Sequence, residues 1–308
     1  YVVLATLILT GLSCFWSVNS EMSFDRVTKL LPVFLSAVLL ISLVKAQGEK
    51  FAKVFVRFFI PAVILGAALN AFELMNDGYF YDAFRGVEHE AKTNLSHLNR
   101  GVVITTLLLF PAFIAFKYKE NCCPQKKLIF PALLALCVGI IFVLTDSQSA
   151  HLAFLFGLLA FFMFPVKRYN AWVILWGVIT VFLILTPLIA QYMFVTIPPL
   201  VADISWFQTS YAADRLEIWD FVTRHALKNP IYGFGIEATK AIEEFDTRML
   251  YHKAKDVLHP HNFSAQFWIE YGIIGALFLS AFTAYLFKNF QALAPQTRKL
   301  ALACMIAF

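Results

Sequence analysis

The sequence predicts an all-α, polytopic transmembrane helical bundle carrying one large external, partly helical loop. Three observations support that expectation. Hydrophobic residues fill 60% of the 308 positions, 33 of them phenylalanine, mean hydropathy is +0.70, and only 15% of residues are charged. Such a composition is too apolar for a water-soluble globule. Uncharged runs recur along the whole chain, and a bilayer core about 30 Å thick takes roughly 20 helical residues to cross. Lysines and arginines gather in alternate connections between those runs, which is the bias of cytoplasmic loops.

In chain order, spans are expected near 1–17, 25–44, 51–73, 101–117, 127–145, 150–166 and 171–193, then near 263–287 and from about 296. The chain thus divides into a bundle of about seven spans over 1–193, an external loop over 194–262, and two final spans over 263–308. Tyr1 and Phe308 each lie inside an apolar run, so the chain reads as a piece of a longer polypeptide. Lys45–Lys50, Lys117–Lys127 and Val166–Asn170 fall on one side, as do Lys288, Arg298 and Lys299. That side is expected to be cytoplasmic. Much of the net charge of +5 is then topological bias and calls for no nucleic-acid partner. Cys122 and Cys123 fall in a cytoplasmic connection, and Cys14, Cys137 and Cys304 within spans, so no disulfide is expected. Asn94-Leu95-Ser96 matches a glycosylation acceptor triplet, a pattern too short to carry weight.

The external side holds 18–24, 74–100, Thr145–Ser149 and the large loop 194–262. Residues able to do chemistry gather in the last. Ala212–Pro230 reads as one amphipathic helix over 214–229, with Asp214 as its cap, Glu217 three residues on, and Leu216, Trp219 and Val222 on one face. This puts Arg215 at the first helical position. There a cation faces the positive end of the helix dipole, which a surface residue tolerates. The functional alternative is that Arg215 and the free N–H groups of that turn converge on a phosphate, which a planar guanidinium grips with paired hydrogen bonds. Gly233 and Gly235 follow in "IYGFG". A tight turn docking the helix on the bundle accounts for them better than a phosphate nest does.

His252, His259 and His261 come next. A His-x-His pair suits zinc, but no third or fourth ligand stands at a fitting spacing, so no metal is expected. Imidazoles also sit at membrane interfaces as plain amphipathic anchors. Position favours chemistry for His261: Pro260 fixes the approach, Asn262 caps the span from Phe263, and a neutral imidazole held there accepts a proton near pH 7. Gln266 and Glu270 share one face of that span. A carboxylate at that depth is costly unless paired, and bracing a neighbouring helix explains it better than lining a cavity. Gly272 and Gly275 fit close helix packing.

Together "DRLEIW" (Asp214–Trp219), "NPIYGFG" (Asn229–Gly235) and "HPHNFSAQFWIEYGIIG" (His259–Gly275), in this order after many spans, resemble the O-antigen ligase and Wzy-type polymerase superfamily of bacterial inner membranes. "FWSVNSEMSFDR" (Phe15–Arg26) and "HLNRGV" (His97–Val102) resemble further segments of it. The resemblance implies a GT-C-like architecture and a periplasmic active site, in a multi-pass protein of the inner membrane. It also implies metal-independent transfer of a glycan from an undecaprenyl diphosphate carrier, in the ligases to a sugar of the lipid A core, with no cofactor and with membrane lipids as surroundings. The position matching Arg215 then holds the diphosphate and that matching His261 acts on the acceptor hydroxyl. His259, Asn262, Gly233 and Gly235, close by in sequence, are expected beside the substrate.

One position departs. Many members carry an arginine in the short external turn corresponding to "TDSQSAHLA" (Thr145–Ala153), where Gln148 stands. Glutamine donates hydrogen bonds without charge, so Arg100, Arg248 or Lys240 is expected to supply the missing cation. A lipid-linked donor keeps its head group at the interface, where spans meet the external loop. Cations there neutralise the leaving diphosphate, while His261 deprotonates the hydroxyl attacking the opposite face and so inverts the anomeric centre. O-antigen ligase is favoured over O-antigen or exopolysaccharide polymerase, from which it differs by acceptor. A transporter is disfavoured, because few ionisable residues stand at mid-membrane depth in the clear spans. The topology is tested by labelling Cys122 and Cys123 with a membrane-impermeant thiol reagent. They should react only after permeabilisation, and labelling in intact cells would invert the assignment.

Overall fold

In the computed structural model, residues 2–88, 98–119, 129–145, 147–201, 203–204, 212–242 and 259–307 are described. The protein is a polytopic helical membrane protein, with no strand among the described residues. Two compact units form, one from Tyr1–Ser42 and Trp172–Lys288, the other from Leu43–Ala171 and Asn289–Phe308. This partition follows packing, whereas the division drawn from the sequence follows membrane topology. Helix α1 spans Val2–Ser13 and α2 Ser20–Met75. α2 contains both spans expected over 25–73 and breaks between them at Gly48 (φ 53°, ψ −132°), a conformation glycine adopts without a Cβ penalty. The Lys45–Lys50 connection is therefore helical on both sides of one glycine.

The remaining helices are α3 (Tyr79–Arg85), α4 (Asn99–Lys119), α5 (Ile129–Leu144), α6 (Gln148–Met163), α7 (Tyr169–Val201), α8 (Ala212–Ala226), α9 (Phe263–Gln291) and α10 (Pro295–Ala307), with a 3₁₀ turn at Ala238–Lys240. By length and composition α2, α4, α7 and α9 are able to cross a membrane; apolar stretches of α1, α5 and α6 are shorter.

In the first unit α7 and α9 are joined by polar contacts between apolar surfaces. Thr180 and Ser280 hydroxyls lie 2.7 Å apart, Thr186 and Ser264 hydroxyls 2.6 Å apart, and Trp176 Nε1 donates to Ser280 O at 3.1 Å. Such bonds hold membrane helices together where no hydrophobic force distinguishes helix from lipid. Pro187 lies inside α7 and has no N–H for the Leu183 carbonyl one turn back. Trp268 Nε1 donates to that carbonyl instead, at 2.7 Å. α8 seats on this pair through Ile218, Val222 and Ala226, which pack with Leu183, Ala265, Trp268 and Ile269.

In the second unit Val63, Ala67 and Ala71 of α2 pack with Val102 and Leu109 of α4, Leu134 and Ile141 of α5, and Ala150 of α6. α10 packs on α6 and α4. Gly157 of α6 permits this approach, since a Cβ there would stand 2.6 Å from Phe110 and 3.1 Å from the Ala303 carbonyl. The buried Glu73 carboxylate accepts the N–H groups of Phe80 and Tyr81 at 2.8 and 2.9 Å. It thereby satisfies the exposed first turn of α3.

Candidate functional site

Gly272 (φ 60°, ψ −146°) breaks α9, leaving donors below the break and acceptors above it without helical partners. The loop after α8 takes both sets. Ile273 and Ile274 N–H donate to the Pro230 and Ile231 carbonyls at 2.8 and 3.3 Å, while Phe234 and Gly235 N–H donate to the Ile269 and Glu270 carbonyls at 2.8 and 2.9 Å. Contact this close demands glycine on both sides. A Cβ on Gly233 would lie 2.6 Å from the Glu270 and Tyr271 backbone, and one on Gly272 2.6 Å from Ile231 and Pro230. Both have positive φ. The same loop engages the joint between α1 and α2: Val18 N–H donates to Phe234 O at 3.1 Å, Trp16 Nε1 to Tyr232 O at 2.9 Å, and Ser23 Oγ to Ile236 O at 2.7 Å.

At the start of α9, Asn262 Oδ1 accepts the Ala265 N–H at 3.1 Å and its carbonyl accepts Gln266 N–H at 2.9 Å, so Asn262 caps the helix. His261, just before it, is exposed and has φ 51°. A left-handed conformation costs a non-glycine residue about 1 kcal/mol or more. It persists because its neighbours are held: Pro260 is buried, and its carbonyl accepts Trp219 Nε1 of α8 at 2.8 Å. The His259 and His261 rings meet edge to face with centroids 4.5 Å apart. Arg215 lies four residues before Trp219, on the same helix face and about 6 Å, just over one turn, along the axis. It is exposed and makes no ion pair with a described residue. Further along α8, Arg224 Nε bonds both Asp220 carboxylate oxygens at 2.9 Å, and these hydrogen bonds raise the Arg224 pKa.

A polar cluster lies beneath the loop. Glu270, buried, accepts from Gln266 Nε2 and from the Glu237 N–H at 3.1 Å. It braces the loop, where the sequence suggested a neighbouring helix. The Glu237 carboxylate in turn binds Arg26 Nε at 2.9 Å and Lys240 Nζ at 2.6 Å.

Several expectations change. α8 covers Ala212–Ala226 among the described residues, so Asp214 is itself helical and does not cap it, Arg215 is not the first helical residue, and the helix ends three residues before 229. The amides of Gly233 and Gly235 are bonded to Asn229 O at 3.0 Å and Glu270 O at 2.9 Å. These glycines hold the loop and do not offer N–H groups to a phosphate. Lys240 is paired with Glu237 and is not a free replacement cation. Gly272 is a backbone break more than a helix-packing position. His259, His261, Asn262 and Arg215 belong to the first unit; Arg100 of α4 and Gln148, the first residue of α6, belong to the second, and both are exposed. Arg248 and His252 lie outside the described residues, as do Cys122, Cys123 and Asn94-Leu95-Ser96. The Trp219–Pro260 bond and the Arg26–Glu237–Lys240 group were not anticipated. Trp219 and Pro260, like Arg26 and Glu237, are far apart in sequence and match no local pattern, although Arg26 closes the Phe15–Arg26 segment singled out above; Glu237 and Lys240 are three residues apart.

Residues 132–280 match the family model described as O-antigen ligase. A "Putative polysaccharide ligase" of Rickettsia bellii is 30% identical over 214 residues, 68% of this chain and 50% of that protein. One from Rickettsia prowazekii is 27% identical over 307 residues, 96% of this chain and 70% of that protein. One from Rickettsia conorii is 38% identical over 94 residues, 27% of this chain and 23% of that protein. The chain thus spans about half the length of the R. bellii relative. No solved structure matches.

The stapled break predicts a sharp contrast between glycines. Gly233→Ala and Gly272→Ala each add a positive-φ penalty to a backbone clash and should destabilise the protein by about 3 kcal/mol or more. Gly177→Ala, on α7 with nothing within 4 Å of the new methyl, should be neutral or mildly stabilising. Thermal unfolding in detergent reads the difference, and equal effects at the three sites would remove the loop from its role at the break.

Proposed function

From the premise that this chain belongs to the O-antigen ligase superfamily, we propose that it transfers a glycan from an undecaprenyl diphosphate carrier to a lipid A core sugar at the periplasmic face of the bacterial inner membrane. The observation that carries this reading is the Trp219 Nε1 to Pro260 O hydrogen bond. It ties the helix bearing Arg215 to the turn bearing His261, at the point where α9 begins.

In this reading Arg215 grips the diphosphate, and its guanidinium neutralises the charge that builds as the anomeric C–O bond breaks. His261 accepts the proton of the acceptor hydroxyl as that oxygen attacks the opposite face of the anomeric carbon, giving inversion without a covalent enzyme intermediate. Positive charge comes from the side chains and no metal ion is required. The cap at Asn262 and the bond at Pro260 fix the turn, so the imidazole is placed before substrate arrives. Glu237 is a poor alternative base, since both carboxylate oxygens already hold cations. A polymerase of the same superfamily would share this chemistry and take the growing glycan as acceptor.

The test is reconstitution in liposomes with an undecaprenyl diphosphate glycan and either lipid A core or a second glycan as acceptor. The core-linked product is expected. His261→Ala should cut transfer by about 100- to 10,000-fold while donor still binds. Arg215→Lys keeps the charge and loses the paired hydrogen bonds, so turnover should fall at least about tenfold. A folded His261→Ala protein that transfers at near-normal rate would reduce the histidine to an interfacial anchor.

A further inference from the structure

The second unit contains a cavity that the transfer chemistry leaves unused. Its volume is about 1240 Å³, and it lies between α4, α6, the turn over 164–168 and the start of α10. That exceeds the roughly 300–1,000 Å³ of ordinary small-molecule pockets. Its wall is aromatic and aliphatic, built from Phe110, Phe113, Phe154, Leu158, Phe161 and Phe162. Its rim carries three cations: Lys167 and Arg168 are exposed, and Lys299 reaches over the Phe161 ring with Nζ 5.7 Å from the centroid. No Asp or Glu lines it among the described residues. Arg298 stands outside the lining, and its guanidinium donates to the Val166, Gln291 and Leu293 carbonyls at 2.8, 2.5 and 3.0 Å, which ties the turn over 164–168 to the end of α9.

We propose that this cavity binds an anionic phospholipid, with acyl chain against the phenylalanine wall and phosphate against Lys167, Arg168 and Lys299. The separation of properties argues for that occupant. A soluble anion would leave the apolar wall wet, and a neutral lipid would leave the cationic rim without a counter-charge. An amphiphile negatively charged at one end matches both. The rim lies in the Val166–Asn170 connection and beside Lys299, the side that lysine and arginine placement assigns to the cytoplasm. Anionic headgroups are concentrated in that leaflet, and basic pockets between spans take them. The site shares no residue with the transfer chemistry proposed above, so each proposal stands or falls separately.

The probes are dioleoyl phosphatidylglycerol and dioleoyl phosphatidylcholine, added to the purified full-length protein in detergent and followed by native mass spectrometry and thermal unfolding. Phosphatidylglycerol should remain bound and raise the melting temperature, while phosphatidylcholine does neither. Replacing Lys167, Arg168 and Lys299 together by Gln should lower phosphatidylglycerol retention on the order of 10- to 100-fold, with lipid-free stability unchanged. Leu158→Trp, which fills the wall and leaves the rim intact, should reduce retention as well and serves if the triple variant fails to fold. Equal retention of both lipids, no retention of either, or a phosphatidylglycerol preference that survives both variants would overturn the proposal.

Discussion

The first unit depends on an exchange of backbone hydrogen bonds at Gly272. A helix in an apolar medium cannot leave N–H and C=O groups unmatched, because each unmatched group costs several kcal/mol. α9 breaks nevertheless, and the Pro230–Gly235 loop supplies both acceptors and donors at the break. The loop is consequently as much a part of the helix as the residues of α9 themselves. Because it also bonds Trp16, Val18 and Ser23, one short segment fixes α8, the α1–α2 joint and the upper turns of α9 in relation to each other.

The consequence for the candidate site is positional. α8 leads directly into the loop and α9 starts with the His-Pro-His turn, so the loop sets one end of each element and the Trp219–Pro260 bond sets the other. Between these two restraints lies a non-glycine residue at positive φ, His261. Backbone strain of this kind survives only where surrounding structure over-determines it, and it concentrates at working sites. Glu237, also at positive φ, sits where the loop passes from backbone pairing to the Arg26 and Lys240 ion pairs. Rigid placement of a cation-bearing helix beside an imidazole-bearing turn is what the proposed transfer needs, since the reaction offers the protein positioning and charge stabilisation as its main contributions.

The helices were legible in the sequence because they follow from local apolarity: α4, α5, α6, α7 and α9 all lie where uncharged runs place them. The charges of Lys45–Lys50 suggest a loop, whereas Lys and Glu are good helix formers and only Gly48 departs from helical geometry. The start of α8 shifted for a similar reason. Ala212 and Ala213 extend a helix more readily than Asp214 stops it, so Asp214 sits inside the helix and not at its cap. Asn262 was readable as a cap since capping is a contact over three residues. The Gly233 and Gly272 approach, the Trp268 bond that replaces the donor missing at Pro187, and the Trp219–Pro260 bond were not readable. Each joins residues separated by tens of positions, and the side chains involved look the same in sequence whether they face lipid, loop or helix.

The central claim, that the Trp219–Pro260 hydrogen bond sets the His-Pro-His turn against α8, is tested most directly with Trp219→Phe. The ring is preserved and the Nε1 donor is lost. Stability should fall only by about 1 kcal/mol, the worth of one hydrogen bond. Misplacement of reacting groups by about 1 Å costs up to roughly 100-fold in rate, so glycan transfer should drop at least about tenfold while donor affinity, which the proposal assigns to Arg215, changes little. A variant that keeps wild-type turnover would contradict the account and separate the histidine turn from the arginine helix.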